Sequence, residues 1–328
     1  MKIRRLTFNF FLLLLIPIVS FGQSQKLVRQ GKRTADLQEK ISYFGQALAL
    51  DKENLDAYFY RGLARYNIED YWGAILDFTK IIFIKPDPDS FYNRGNAKFA
   101  IEDYEGAYKD YRMAIAHKRD FFQAHYNLGV TQSKLGKYKE ALKSFNFLLG
   151  YFPNDVNTNI QMGLVLKELK HYDVALLFLN KSIELEPNSD TYHNRGMAYL
   201  SMRDYNKAAK DFKTAISLEN TNDSAYFYLG LAQLYSRNFS AAVDSFENTL
   251  SFNSIDHEAL VALAIANYHI DNYTDAKSHF KKAKSILSPQ NEYYNYINDV
   301  ALFNNKLLSL SNDTSIIFQT YFDRLSTL

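Results

Sequence analysis

Apolar side chains recur along most of the chain at spacings of three and four. In YEGAYKDYRMAIA (104–116), for example, Tyr104, Ala107, Tyr108 and Tyr111 share one side of a 3.6-residue period. The pattern predicts amphipathic helices, and small residues punctuate it at fixed intervals. Gly62, Gly95, Gly129, Gly163, Gly196 and Gly230 are spaced by 33, 34, 34, 33 and 34 residues, and the next step of 34 reaches Ala264. Twelve residues after each small residue stands an alanine: Ala74, Ala107, Ala141, Ala175, Ala208, Ala242 and Ala276. Four further on comes a large apolar residue: Phe78, Tyr111, Phe145, Leu179, Phe212, Phe246 and Phe280. Three before each alanine is a ring: Tyr71, Tyr104, Tyr138, Tyr172, Tyr205, Phe239 and Tyr273.

Each period therefore predicts two antiparallel helices, with the glycine expected to face the alanine where the backbones come closest. Asp70, Asp103, Asp204, Asn238 and Asn272 stand where a side-chain oxygen can cap the second helix. Pro86, Pro153 and Pro187 mark its end in three periods. One pair cannot bury its own apolar faces, so the pairs must stack.

This register resembles the tetratricopeptide repeat, a 34-residue helix–turn–helix unit with glycine at position 8, alanine at 20, an aromatic at 24, alanine at 27 and proline at 32. The resemblance covers Asp56 to about Pro289, as seven repeats. It departs from the family at position 4, often tryptophan there, and at Ala264. It implies an all-α fold: a right-handed α-solenoid, or superhelix, with terminal capping helices. Upstream, ISYFGQALALDKEN looks like the second helix of a degenerate further unit, so residues 23–55 are expected to form an N-terminal cap. Residues 290–328 are expected to supply C-terminal capping helices.

Residues 1–22 differ from the rest. Lys2, Arg4 and Arg5 precede the apolar run FNFFLLLLIPIVSFG, which is shorter than a membrane span and carries Pro17 near its end. The segment reads as a cleavable secretory signal, so the mature chain is expected outside the cytoplasm, in a bacterial periplasm or cell envelope, or secreted. Removing its three cations takes the formal net charge from +2 to about −1. A near-neutral chain without a basic tract gives no electrostatic case for nucleic acid or for an anionic membrane surface, and no later segment is apolar enough to span a bilayer.

Arginine occupies position 7 in three repeats (Arg61, Arg94, Arg195), and the same three carry aspartate at position 23 (Asp77, Asp110, Asp211). A partly buried guanidinium needs an acceptor. The matched placement predicts the ion pairs Arg61–Asp77, Arg94–Asp110 and Arg195–Asp211, which makes these arginines scaffold and not a ligand array.

In the tetratricopeptide family the first helices line the concave side through positions 2, 5, 9, 12 and 13. Carried onto this chain, the resemblance implies a groove that includes Phe59, Leu63, Tyr66, Tyr92, Asn93, Asn96, Phe99, Tyr126, Asn127, His193, Asn194, Met197, Phe227 and Leu231. An aromatic surface of this kind suits an extended peptide or a partner helix. Position 5 carries no lysine, so the lysine–asparagine clamp for acidic C-terminal tails is missing.

No G-x-S-x-G, P-loop or G-x-G-x-x-G occurs, the seven histidines are scattered, and HEALV (257–261) lacks the second histidine of a zinc helix. There is no cysteine, which removes disulfides and thiolate chemistry. Asp87 and Asp89 read as turn and cap residues. The expectation is a non-enzymatic adaptor, monomeric or weakly self-associating, with a protein or peptide ligand and no cofactor or metal. The alternative is a carbohydrate or cell-wall binder that stacks sugars on the groove tyrosines.

Overall fold

The computed structural model describes residues 20–287. Most of the expected signal segment (1–22) and all of the expected C-terminal caps (290–328) lie outside the described residues. Among these there are sixteen helices and no strand. They group into two compact units, Met1–Tyr151 and Phe152–Leu328.

The first unit contains α1 (20–33), α2 (Leu37–Leu50), α3 (Leu55–Asn67), α4 (Tyr71–Ile84), α5 (Pro88–Ala100), α6 (Tyr104–His117), α7 (Phe122–Lys134) and α8 (Tyr138–Tyr151). The second contains α9 (Val156–Glu168), α10 (Tyr172–Leu185), α11 (Ser189–Ser201), α12 (Tyr205–Leu218), α13 (Asp223–Tyr235), α14 (Phe239–Phe252), α15 (His257–His269) and α16 (Tyr273–Leu287). From α2 on, each helix packs on its sequence neighbours within its unit. The first helices of successive pairs also touch, α3 on α5 and α5 on α7, and likewise α9 on α11, α11 on α13 and α13 on α15. The stacking follows from sequence: every pair leaves an apolar flank that only the next pair can cover.

Inside each pair the nearest neighbour of the glycine is a large side chain of the second helix, and at Gly163 the Ala175 carbonyl also lies 3.2 Å from a methyl built there. A methyl built on Gly62, Gly95, Gly129, Gly196 or Gly230 would fall 2.6–2.9 Å from the ring sixteen residues on (Phe78, Tyr111, Phe145, Phe212, Phe246), and on Gly163 it would meet the Leu179 side chain at 2.6 Å. The missing side chain makes room for a large one, which fills the space between the helices, and the alanines of the second helix are fully buried as well. Gly31 and Phe44 repeat this contact between α1 and α2 at 2.7 Å. Ser24 ties the same pair together: it donates to the Ala47 carbonyl at 2.9 Å and accepts from Asn54 at 2.9 Å. The N-terminal segment is thus a helix pair on the same plan.

The turns are equally regular. Glu69, Glu102, Gly136, Lys170, Arg203, Arg237 and Asp271 all take left-handed backbone, with φ between 58 and 70°. Only Gly136 adopts this without steric cost. Asp70, Asp103 and Asp204 accept from the backbone N–H three residues on, as expected of N-caps. Asn238 makes no such side-chain bond, and the Asn272 amide donates instead to Asn267 and Asp275. Asp87 caps α5 through the Ser90 N–H at 3.0 Å.

Candidate functional site

The three expected ion pairs form, each as a two-point contact from a first helix to its second. Arg61 donates to Asp77 at 3.0 and 2.6 Å, Arg94 to Asp110 at 2.8 and 2.7 Å, and Arg195 to Asp211 at 2.7 Å twice. The aspartates are buried and the guanidinia mostly so. A second cation reaches two of them: Arg65 meets Asp77 at 3.0 Å and Lys98 meets Asp110 at 2.8 Å. Asp211 has Arg195 alone, whose own charge is held more firmly by that contact. Two pairs that lack the arginine use a neutral substitute one turn further along: Ser144 donates to Gln132 at 2.8 Å, and Ser245 to Gln233 at 2.7 Å. Gln132 and Gln233 at position 11 carry no charge, so charge matching in the sequence identifies only the arginine–aspartate pairs. All these groups are consumed within the scaffold.

The implied groove residues fall on first helices in both units. In the first unit, Phe59, Leu63 and Tyr66 lie on α3, Tyr92, Asn93, Asn96 and Phe99 on α5, and Tyr126 and Asn127 on α7; all nine are half-buried. Their rings lean on the interior: Phe59 on Phe78 (5.9 Å between centroids), Tyr92 on Tyr111 (6.0 Å) and Phe121 (4.8 Å), Phe99 on Tyr104 (5.2 Å), and Tyr126 on Phe145 (6.0 Å). Each ring therefore keeps one edge for helix packing and one for solvent.

Between α5 and α7 the polar side chains form a chain of hydrogen bonds. Tyr111 donates to Asn96 Oδ1 at 2.8 Å, and burial pushes that hydroxyl's pKa up, which keeps it a donor. Asn127 Nδ2 donates to the same oxygen at 2.9 Å and to the Tyr92 hydroxyl at 3.3 Å. Both donors of Asn127 and the oxygen of Asn96 are thereby used, which leaves the Asn96 amide N–H groups and the Asn127 carbonyl unused. One amide N–H of Asn93 is committed to the Asp89 carbonyl of its own helix at 2.8 Å.

In the second unit, His193, Asn194 and Met197 lie on α11 and are half-buried, as is Phe227 on α13. Leu231 is 0 % exposed, so it belongs to the core and offers no surface to a ligand. The reason is non-local: α15 is buried through nine successive residues, Ala259–Asn267, and Leu231 joins its core cluster. Asn194 bonds the Asp190 carbonyl at 2.8 Å. His193 packs edge-on against Phe212 and Tyr228, and burial lowers its pKa, with Lys167 lowering it further against the opposing pull of Asp190. Its Nδ1 is buried without a partner. Among the described residues, no three His, Asp or Glu side chains gather to hold a metal ion, and no helix is long and apolar enough to cross a membrane.

A stacked array of helix pairs whose first helices share a half-buried aromatic and amide face defines an α-solenoid scaffold. Models of the tetratricopeptide repeat match residues 95–136, 122–155, 156–189, 189–222 and 227–292, more than half of the 328 residues, and the chain belongs to that family. This fold is a common protein-interaction scaffold, and its members are generally non-catalytic.

Among solved structures, the chain is similar to a tetratricopeptide repeat protein from Parabacteroides merdae, with a TM-score of 0.62 at 17% identity over 77% of this chain and 99% of the other. It is also similar to a chain of the APC/C hetero-tetramer Cut9–Hcn1, with a TM-score of 0.58 at 16% identity over 84% of this chain. It spans only 53% of that second chain, and at these identities the likeness is one of fold. No curated protein matches the sequence.

Proposed function

We propose that the chain is an exported, non-enzymatic adaptor that holds an extended peptide along α3, α5 and α7 of its first unit. The observation that carries this reading is the amide pair Asn96 and Asn127. Hydrogen bonds from Tyr111 and to Tyr92 fix their orientation and leave the Asn96 N–H groups and the Asn127 carbonyl unused. A peptide backbone offers the complementary carbonyl and N–H, and preorganised partners lower the ordering loss of binding. The half-buried edges of Phe59, Tyr66, Tyr92, Phe99 and Tyr126 supply apolar contacts on either side. Sugar stacking is disfavoured, because it needs open ring faces, and Tyr92 is already packed on Phe121 and Tyr111.

Counting the pairs α3/α4 through α15/α16 as repeats gives seven. Export rests on the basic and apolar leader, and the chain would then act in the periplasm or cell envelope as a monomer or weak self-associate. The binding reading is tested by selecting peptides from a displayed random library and titrating the best by calorimetry. Asn127→Leu should weaken binding about tenfold, the loss of one well-placed amide contact, and Tyr92→Ala with Tyr126→Ala by more. Unchanged affinity in both variants would remove the groove from the reading.

A further inference from the structure

Helix α4 is apolar on the side that its own array does not cover. Trp72, Leu76 and Phe83 are 68, 69 and 80 % exposed, and they fall about one and then about two turns apart on a single stripe with Thr79 and Lys80. Ile84 and Lys85 extend the stripe at the helix end. The helix exposes no carboxylate: its one acid, Asp77, is buried under Arg61 and Arg65. The equivalent faces of α12 (Asn206, Lys210, Lys213, Thr214 and Ser217) and α14 (Ser240, Asp244, Glu247, Asn248 and Ser251) are polar, and that of α10 keeps a single exposed apolar residue, Leu177. A helix that is apolar all round is ordinarily covered.

The shape of the face decides among the possible covers. Rings in a cleft are half-buried, as Phe59 and Tyr92 are; Trp72 and Phe83 protrude as a ridge. A peptide would bury only one side of a ridge. A second copy could pair Trp72 with Phe83 across a two-fold axis, but antiparallel α4 helices in that register bring the two Lys80 side chains within about 8 Å along the axis, and the exposed carboxylate of Asp70 falls opposite Lys85 instead. A bilayer interface accepts a ridge, favours indole and phenyl groups at headgroup depth, and meets lysine with lipid phosphate. Lys80 lies over the Phe83 ring at 5.4 Å, which places its cation beside the apolar stripe. The near-neutral charge of the whole chain does not oppose this, since attraction to a charged surface acts within about 10 Å.

We propose that α4 docks the first unit onto the interfacial layer of a membrane containing anionic lipid, with Trp72, Leu76 and Phe83 inserted and Lys80 and Lys85 at the headgroups. This surface is separate from the α5–α7 amide pair, so the two readings stand or fall apart. Trp72 is the sole tryptophan of the chain, and its emission therefore reports on α4 whatever else of the chain touches lipid.

The test adds the full chain to phosphatidylcholine vesicles with and without about one-third phosphatidylglycerol, using lipids brominated in the acyl chain. The expected result is a blue shift and at least about twofold quenching, several-fold stronger on the anionic vesicles. Leu76→Asp with Phe83→Asp should abolish the quenching while far-ultraviolet circular dichroism stays unchanged, and Lys80→Glu should erase the anionic preference. Absence of quenching in the wild type would overturn the proposal, as would quenching that survives the double substitution. A blue shift without lipid that grows with protein concentration would assign the ridge to a second copy, and would likewise overturn it.

Discussion

The sharpest test of the scaffold's energetics is the substitution Arg195→Met. Asp211 is 3 % exposed and accepts two short bonds from Arg195, with no second cation at hand. Methionine fills the space of the aliphatic stem but leaves a carboxylate in the helix interface unpaired. Breaking one side of a buried pair costs about 3–5 kcal/mol. Arg94→Met should cost less, roughly 2 kcal/mol, because Lys98 stays 2.8 Å from Asp110 and continues to neutralise it. Replacing both Arg195 and Asp211 by apolar residues should recover much of the loss, since the desolvated charge goes with its partner. Because each pair contacts chiefly its neighbours, urea unfolding is best fitted with a nearest-neighbour scheme, with hydrogen exchange on α11 and α12 as a local readout. The reasoning is refuted if Arg195→Met costs under about 1 kcal/mol, the range of an exposed pair, or if Arg94→Met costs as much as Arg195→Met.

Two further outcomes follow from the same contacts. Gly95→Ala places a methyl 2.8 Å from the Tyr111 ring and should cost roughly 1–3 kcal/mol, whereas Gly150→Ala, in α8 with nothing within 4 Å, should stabilise by about 0.5–1 kcal/mol; equal effects in a thermal melt would count against the glycine–ring contact. His193 has its folded-state pKa lowered by burial, so the unfolded chain, titrating near its ordinary value of about 6.5, binds the proton more readily. Stability is then lost as pH falls below about 6.5 and regained as it rises, and His193→Phe should flatten that slope in melts taken from about pH 5 to 7; an unchanged slope would assign the acid sensitivity elsewhere.

The fold was legible because its determinants are local and repeated. Gly62 and Phe78, or Gly230 and Phe246, keep their spacing whatever their neighbours do, and Arg94 and Asp110 sit sixteen residues apart, as Arg61 and Asp77 do. What could not be read depends on contacts between pairs or on direction. Leu231 carries the same pattern as Leu63, yet it is buried because α15 packs over α13. Trp72 looks like one more apolar residue of a helix until its outward direction is known. Ser144 and Ser245 carry no charge, so no charge pattern in the sequence links them to Gln132 and Gln233. The left-handed turn residues were signalled only by Gly136, since Glu69 and Arg203 adopt that conformation under the pull of the helices they join. The division at Tyr151 leaves no mark either, because the period runs through it without a break.

Peptide capture by the first helices is tested most directly by placing an aromatic photo-crosslinking amino acid in the producing cell at position 99, one turn from Asn96 on α5, and separately at position 109, on the exposed side of α6. Protein adducts from position 99 that disappear with Tyr92→Ala and Tyr126→Ala are the expected result. Adducts from position 109 with none from position 99 would contradict it.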